Sequence, residues 1–188
     1  MNATRVLPGF DTPLRAAAVL GLVVGIDAVM AWRVGVQATL PAYVVLGVVC
    51  AVVTVSDLAA RKIPAAVVLP AYPIVLVLLV VGSVSDGQWW ALGRAVIAMA
   101  VLGAFYLTLG LGFAGQLGIG DIELGGLLGL CLGYLGWPAV VAGTLLAWCL
   151  AALAVPVRRA LGRPSVTGEL PAGPSLVAGA LFAVLVIH

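Results

Sequence analysis

Two aspartates stand at the ends of long apolar runs, Asp57 in the stretch SDLAARKIP (56–64) and Asp121 in GIGDIEL (118–124). An ionisable group beside a membrane span is expensive unless another group pairs with it or a function requires it. Two carboxylates that lie close together cannot both ionise, so they share a proton. One can then activate a water molecule while the other protonates the carbonyl oxygen or the leaving nitrogen of a peptide bond. The pair therefore predicts a hydrolytic centre.

Other catalytic groups are scarce. The single histidine is His188, the last residue, on the predicted outer face, which excludes an HExxH zinc site and a Ser/His pair. The single lysine, Lys62, leaves one Ser/Lys candidate with Ser56, which we disfavour because such a lysine must be desolvated and Lys62 lies in a basic loop. The cysteines lie in apolar runs without a CxxC pairing, so we interpret them as small buried apolar residues and expect no metal, disulfide or cofactor (Cys50, Cys131 and Cys149).

The composition indicates an integral membrane protein. Hydrophobic residues make up 64% of the 188 residues and charged residues 9%, whereas soluble domains contain about 45–50% apolar residues. The formal charge of +2 and the lack of a Lys/Arg run exclude a nucleic-acid-binding protein.

Seven apolar segments predict an all-α polytopic transmembrane helix bundle of about seven spans (14–32, 38–56, 65–82, 89–113, 122–136, 138–157 and 171–187). The fifth and sixth should form a hairpin, because only Gly136, Trp137 and Pro138 separate them. We predict one integral membrane domain, 1–188, with an extra N-terminal span at 1–37 and a core at 38–188. The alternative for the first segment is a cleaved signal peptide, which leaves six spans.

The basic residues predict the orientation. Seven of them fall at one set of helix ends (Arg5, Arg15, Arg61, Lys62, Arg158, Arg159 and Arg163), and only Arg33 and Arg94 fall at the opposite ends. By the positive-inside rule the N-terminus is cytoplasmic, and both aspartates lie at cytoplasmic helix ends. The opposite ends carry aromatic residues that suit the outer membrane interface (Trp89, Trp90 and Trp137).

The local sequence suggests different roles for the two aspartates, which are 64 residues apart, enough for two antiparallel spans. We expect Gly118 and Gly120 to adopt positive φ and to allow a close approach before the fifth helix. Asp121 should lie in the first turn of that helix, where the dipole favours the ionised form, whereas Asp57 ends a helix, where it favours the protonated form. Our hypothesis is that Asp121 is the general base and Asp57 the proton carrier. Glycines four residues apart predict close helix packing (Gly125, Gly129 and Gly133).

Three motifs occur in order along the chain: Asp57, Arg61, Ile63 and Pro64; then Gly118, Gly120, Asp121 and Leu124; then Pro171, Gly173 and Pro174. In these motifs the chain resembles the type IV prepilin peptidases, a family of GxGD membrane aspartic proteases. The likeness is to the compact form found with tight-adherence pili, which lacks the methyltransferase region.

The resemblance implies an endopeptidase that cleaves the basic leader of type IV or Flp-like prepilins or pseudopilins. It places the reaction at the cytoplasmic face of a bacterial inner membrane, makes 38–188 the peptidase core, and makes Asp57 and Asp121 catalytic. Its partners are then the prepilin and membrane lipid, with no cofactor and no methyltransferase activity.

Three positions depart from the family pattern: Ala65 replaces Asn, Glu123 replaces Lys, and Ala172 replaces an aromatic residue. On a helix that begins near Asp121, Glu123 points roughly 200° away, so we expect it to act through its charge rather than within the pair. Two alternatives stay open, a non-cleaving membrane scaffold of a pilus or secretion system and a small proton-coupled transporter. The glycines before Asp121 favour the peptidase over the transporter. We interpret Asp27, in the middle of the first span, as a structural hydrogen-bond partner that faces the bundle.

Overall fold

The computed structural model describes residues 13–112, 117–160 and 172–187, and over these residues the chain forms seven α-helices and no strand. They are α1 (Pro13–Val34), α2 (Leu40–Ala60), α3 (Ala65–Asp86), α4 (Trp89–Gly112), α5 (Ile119–Leu135), α6 (Trp137–Ala160) and α7 (Ala172–Ile187). The prediction of an all-helical bundle is confirmed.

Five of the described helices are long and apolar enough to cross a membrane: α1, α2, α3, α4 and α6. Helix α7 is a shorter apolar helix, and α5 has 17 residues. The chain is therefore a multi-pass membrane protein. Cys50 and Cys131 are buried, as predicted, whereas Cys149 is exposed on the surface of α6 and does not belong to the core.

Helix α5 lies at the centre of the bundle. It packs against α4 most extensively and also against α2, α3, α6 and α7, and most of its residues are buried. The glycines spaced by four form its contact with α4, as predicted. A Cβ atom on Gly129 would lie 2.7 Å from the carbonyl oxygen of Ala98, and one on Gly133 would lie 3.0 Å from Cα of Ala95. Because the neighbouring atoms are backbone atoms, a larger side chain here would push the helices apart.

Successive helices run antiparallel, so the bundle has two ends. The end that holds Asp57 and Asp121 is called the site end, and the opposite end, which holds the α5–α6 connection, is called the far end. That connection is Gly136 alone, at φ 151°, which confirms the predicted hairpin. The exposed side chains of Trp89, Trp90 and Trp137 lie at the far end, at the starts of α4 and α6.

Helix α1 packs on α2 and α7. Asp27 faces α2, as predicted, because a Cβ atom on Gly47 would overlap Oδ1 of Asp27. The expected hydrogen bond is not observed for that atom: Oδ1 is buried and has no hydrogen-bond partner among the described residues. The division of the chain into an N-terminal span and a core stays a prediction, as does the alternative of a cleaved first segment.

Candidate active site

Asp57 lies in the last turn of α2 and is 5% exposed. The helix ends at Arg61, which adopts the left-handed conformation (φ 50°, ψ 40°) and donates its backbone N–H to the carbonyl oxygen of Asp57 at 2.9 Å. The buried hydroxyl of Ser56 donates to the carbonyl oxygen of Lys62 at 2.8 Å. These bonds turn the chain away from α2 and leave the Asp57 side chain on the buried face. A Ser/Lys pair is disfavoured as well, because the Lys62 side chain is exposed and the Ser56 hydroxyl donates to a backbone carbonyl oxygen.

Asp121 lies in the first turn of α5, as predicted, and is 8% exposed. Gly118 is the N-cap residue, and its backbone N–H donates to Oδ2 of Asp121 at 3.2 Å. In return, the backbone N–H of Asp121 donates to the carbonyl oxygen of Gly118 at 3.0 Å. The carboxylate thus satisfies one of the unpaired N–H groups of the helix start, as the third residue does in a capping box.

The two glycines of the GxGD motif do not have the backbone conformation that we predicted. Gly118 is extended (φ −68°, ψ 149°), Gly120 is helical, and neither is among the described residues with positive φ. The prediction of a close approach is correct for Gly120, where a Cβ atom would lie 2.5 Å from Cβ of Ile63. Gly120 therefore allows α5 to press against the α2–α3 connection, and this contact requires a residue without a side chain.

Three helix ends meet around the two carboxylates. Helix α5 packs against α2, and Asp57 and Asp121 are close enough to interact electrostatically. Gly173 in the first turn of α7 lies against Asp57, since a Cβ atom there would be 2.9 Å from Oδ2 and 3.2 Å from Cγ of Asp57. The structure thus brings Asp57 and Asp121 into electrostatic contact at one end of the bundle.

The remaining motif residues shape the elements around this pair. Pro64 is the N-cap residue of α3, and Ala65 is the first residue of that helix. Arg61 has an exposed side chain beside the site. Pro174 is in the first turn of α7, where the missing N–H of proline breaks no helical hydrogen bond. Pro171 lies outside the described residues.

Glu123 lies against α3. The hydroxyl of Tyr72 in that helix donates to the backbone carbonyl oxygen of Glu123 at 2.5 Å, and Tyr72 also contacts Gly126, one turn further along α5. The Oε2 atom of Glu123 is buried and has no hydrogen-bond partner among the described residues. The Glu123 side chain thus lies near Asp121, and its Oε2 atom has no hydrogen-bond partner among the described residues.

The model of the type IV leader peptidase family matches residues 44–157, which include both aspartates and more than half of the chain. The chain belongs to this family. No curated protein and no solved structure matches it. Membership in a leader peptidase family indicates a protease, and the matched range extends from α2 into α6, so that α1 and α7 lie outside it.

The structure also shows a residue near the candidate active site that the sequence did not single out. Tyr106 of α4 is 2% exposed, and its ring packs on Gly125. Its hydroxyl interacts with the Trp148 side chain and with the charge of Asp121. The sequence carries no local signal for the position of Tyr106 beside Asp121, because that position depends on how α4 is aligned with α5.

Proposed function

We propose that the chain is an aspartic endopeptidase that removes the leader of a type IV or Flp-like prepilin. Asp57 and Asp121 are its catalytic residues. The observation that supports this most is the meeting of two buried carboxylates, from the ends of α2 and α5, at one end of a bundle that belongs to the leader peptidase family. Buried carboxylates that interact are costly for a membrane protein to keep and suit proton transfer.

In the proposed reaction the pair holds one proton. We assign the negative charge of the pair to Asp121, which lies at the N-terminal end of α5 and accepts the N–H of Gly118. It takes a proton from a water molecule, whose oxygen attacks the carbonyl carbon of the scissile peptide bond. Asp57, at the C-terminal end of α2, gives its proton to the carbonyl oxygen. The C–N bond of the tetrahedral intermediate then breaks, and the leaving nitrogen receives the proton that Asp121 took. As the C=O bond re-forms, one hydroxyl of the intermediate returns its proton to Asp57, so that the pair again holds one proton.

The position of the pair suits a substrate that is polar before the scissile bond and apolar after it. The carboxylates lie at helix ends, where the membrane core meets water, next to the exposed side chains of Arg61 and Lys62. By the positive-inside rule this end faces the cytoplasm, and a bacterial inner membrane is the proposed location. A prepilin with a basic leader and a following apolar helix has this chemistry, so the leader stays in water while the helix stays in lipid.

Cleavage of a model substrate tests the proposal. The probe is a synthetic peptide with a Lys-rich leader joined to an apolar helix of about 20 residues, mixed with the chain in lipid vesicles. We expect cleavage near the junction, with the new N-terminus determined by mass spectrometry, and none by the Asp57→Asn/Asp121→Asn double variant. Binding of the peptide without cleavage by the wild-type chain would favour the scaffold, and proton flux without cleavage would favour the transporter.

Labelling of single cysteines tests the membrane face. Lys62→Cys lies at the site end and Gln88→Cys at the far end, and both positions are exposed. In a Cys149→Ala background, a membrane-impermeant maleimide should label Lys62→Cys only from the cytoplasmic side and Gln88→Cys only from the opposite side. The reverse pattern would contradict the proposed orientation while leaving the chemistry untouched.

A further inference from the structure

An apolar cleft lies between α4 and α6, with α5 and α7 forming its floor. The cleft is shallow, with a cavity volume of about 10 Å³. Apolar side chains form the wall from α4 and the floor, and the Tyr106 hydroxyl is the single polar group among them (Leu102, Tyr106, Leu128, Leu132, Leu176 and Ala180). The wall from α6 consists of the small residues Gly143, Thr144 and Ala147.

The cleft continues the same helix faces that carry the site. On α5, Leu128 and Leu132 follow Asp121 by seven and eleven residues, a spacing that places all three on one side of a helix. On α7, Leu176 and Ala180 follow Gly173, the residue against Asp57, by three and seven residues. With a rise of about 1.5 Å per residue, the floor at Leu128 lies about 10 Å deeper in the bundle than Asp121.

Most of the residues that line the cleft are buried. Helix α4 packs on α3 and α5, whereas α6 packs on α5 and α7. Across the cleft the rings of Phe105 and Trp148 meet edge to face, with centroids 6.3 Å apart, and each side chain is about 40% exposed. Tyr106 stands beside this ring pair and interacts with both Trp148 and the charge of Asp121. One cluster of aromatic side chains therefore connects the cleft to the candidate active site.

We propose that this cleft is a substrate subsite within the membrane, which receives an apolar side chain of the helix that follows the scissile bond. The inference rests on the proposed function, because the scissile bond must lie at the carboxylates. A substrate helix that extends from there into the membrane brings the side chains about seven to eleven residues beyond the bond to the depth of the cleft. The small residues on α6 allow that helix to approach closely.

Photo-cross-linking tests the subsite. The probe is the model peptide with a Lys-rich leader, carrying a benzoylphenylalanine at one position of its apolar helix at a time. It is bound to the Asp121→Asn variant in lipid, so that capture does not depend on cleavage. Cross-links to α6 should concentrate at about positions seven to eleven after the junction. The Thr144→Trp variant, which fills the cleft, should lower their yield by about tenfold or more.

Leu145→Trp is the matched control, since Leu145 is the next residue of α6 and is 60% exposed; it should leave the yield unchanged. The Thr144 hydroxyl donates to the carbonyl oxygen of Val140 in its own helix, so Thr144→Leu, a smaller change than Thr144→Trp, should also fold and should lower the yield less. Equal cross-linking at all positions, or equal effects of Thr144→Trp and Leu145→Trp, would overturn the proposed subsite. Cleavage of the peptide by the wild-type chain would in that case still support the proposed function. Failure of the wild-type chain to cleave the same peptide would overturn the proposed function instead.

Discussion

At the far end of the bundle, arginine side chains bind the last carbonyl groups of two helices, whereas at the site end carboxylates are buried. Arg94 of α4 donates from Nε to the carbonyl oxygen of Gly133 at 2.7 Å and from a terminal nitrogen to that of Tyr134 at 2.6 Å. Arg33 of α1 lies within 3.5 Å of the carbonyl oxygen of Val184 in α7. The carbonyl groups of Gly133 and Tyr134 lie in the last turn of α5, where the helix supplies no N–H partner, and a cation at this end also suits the helix dipole.

The site end is built differently. The Asp121 carboxylate receives one backbone N–H and interacts electrostatically with Asp57, and one oxygen of Glu123 has no hydrogen-bond partner among the described residues. Polar groups at the far end therefore hold helices together, whereas those at the site end include the two aspartates to which we assign proton transfer. The comparison also explains why Arg33 and Arg94 are the exceptions to the positive-inside pattern, since each has a structural partner at the far end.

Two glycines of α7 differ in what they contact, one at the candidate active site and one at the packing of α7 against α6. A Cβ atom on Gly173 would approach the flexible carboxylate of Asp57, whereas one on Gly179 would approach backbone atoms of α6, including the nitrogen of Ala147 at 2.7 Å. We expect Gly173→Ala to displace the carboxylate and lower the cleavage rate by up to about 100-fold, since a 1 Å misplacement can cost that much. The measurement is the initial cleavage rate per folded chain.

Gly179→Ala is the control on the same helix, and it should lower thermal stability while the rate per folded chain is retained. Equal rates for Gly173→Ala and the wild-type chain would show that the position of the Asp57 carboxylate does not govern the reaction.

Removal of the cation at the far end should affect stability rather than chemistry. Arg94→Met leaves the carbonyl groups of Gly133 and Tyr134 without donors. Hydrogen bonds to charged groups contribute about 1.5–3 kcal/mol each, so the free energy of unfolding should fall by at least about 1.5 kcal/mol. Denaturant unfolding in detergent measures this change, and Arg94→Lys should recover part of it. A stable Arg94→Met variant without activity would contradict the claim that polar groups at the far end serve stability and those at the site end serve the reaction.

The smallest expected effect is at Glu123. In Glu123→Lys a positive charge near Asp121 favours the ionised carboxylate, so the whole rate–pH profile should move to lower pH. The same change should weaken capture of a Lys-rich leader by a few-fold, and salt should reduce the difference, because the Debye length is about 8 Å at physiological ionic strength. Glu123→Gln, which removes the charge without reversing it, should give an intermediate profile. Identical profiles for all three chains would remove any electrostatic role for Glu123.

The sequence predicted the features that depend on local pattern. The apolar segments gave the helices, the even number of spans between Asp57 and Asp121 placed both at one end, and the start of α5 placed Asp121 in its first turn. Contacts between distant segments could not be derived, because they depend on the alignment of helices. The bonds of Arg94 join residues about 40 positions apart. The sequence also suggested positive φ for Gly118 and Gly120. In the structure Gly120 instead allows the contact with Ile63, which is another contact between distant segments.

Cleavage of the model peptide by single carboxylate variants at equal amounts of folded protein tests the central claim most directly. Asparagine at position 121 can still accept the N–H of Gly118, so Asp121→Asn removes the acid–base chemistry without removing the helix cap. Asp57→Asn and Asp121→Asn should each lower the rate by about 10²–10⁴-fold or more. Asp27→Asn, which alters a half-buried carboxylate in the middle of α1, should lower only the amount of folded protein. Substantial cleavage by either Asp57→Asn or Asp121→Asn, or an equal loss in Asp27→Asn per folded chain, would contradict the two-aspartate mechanism.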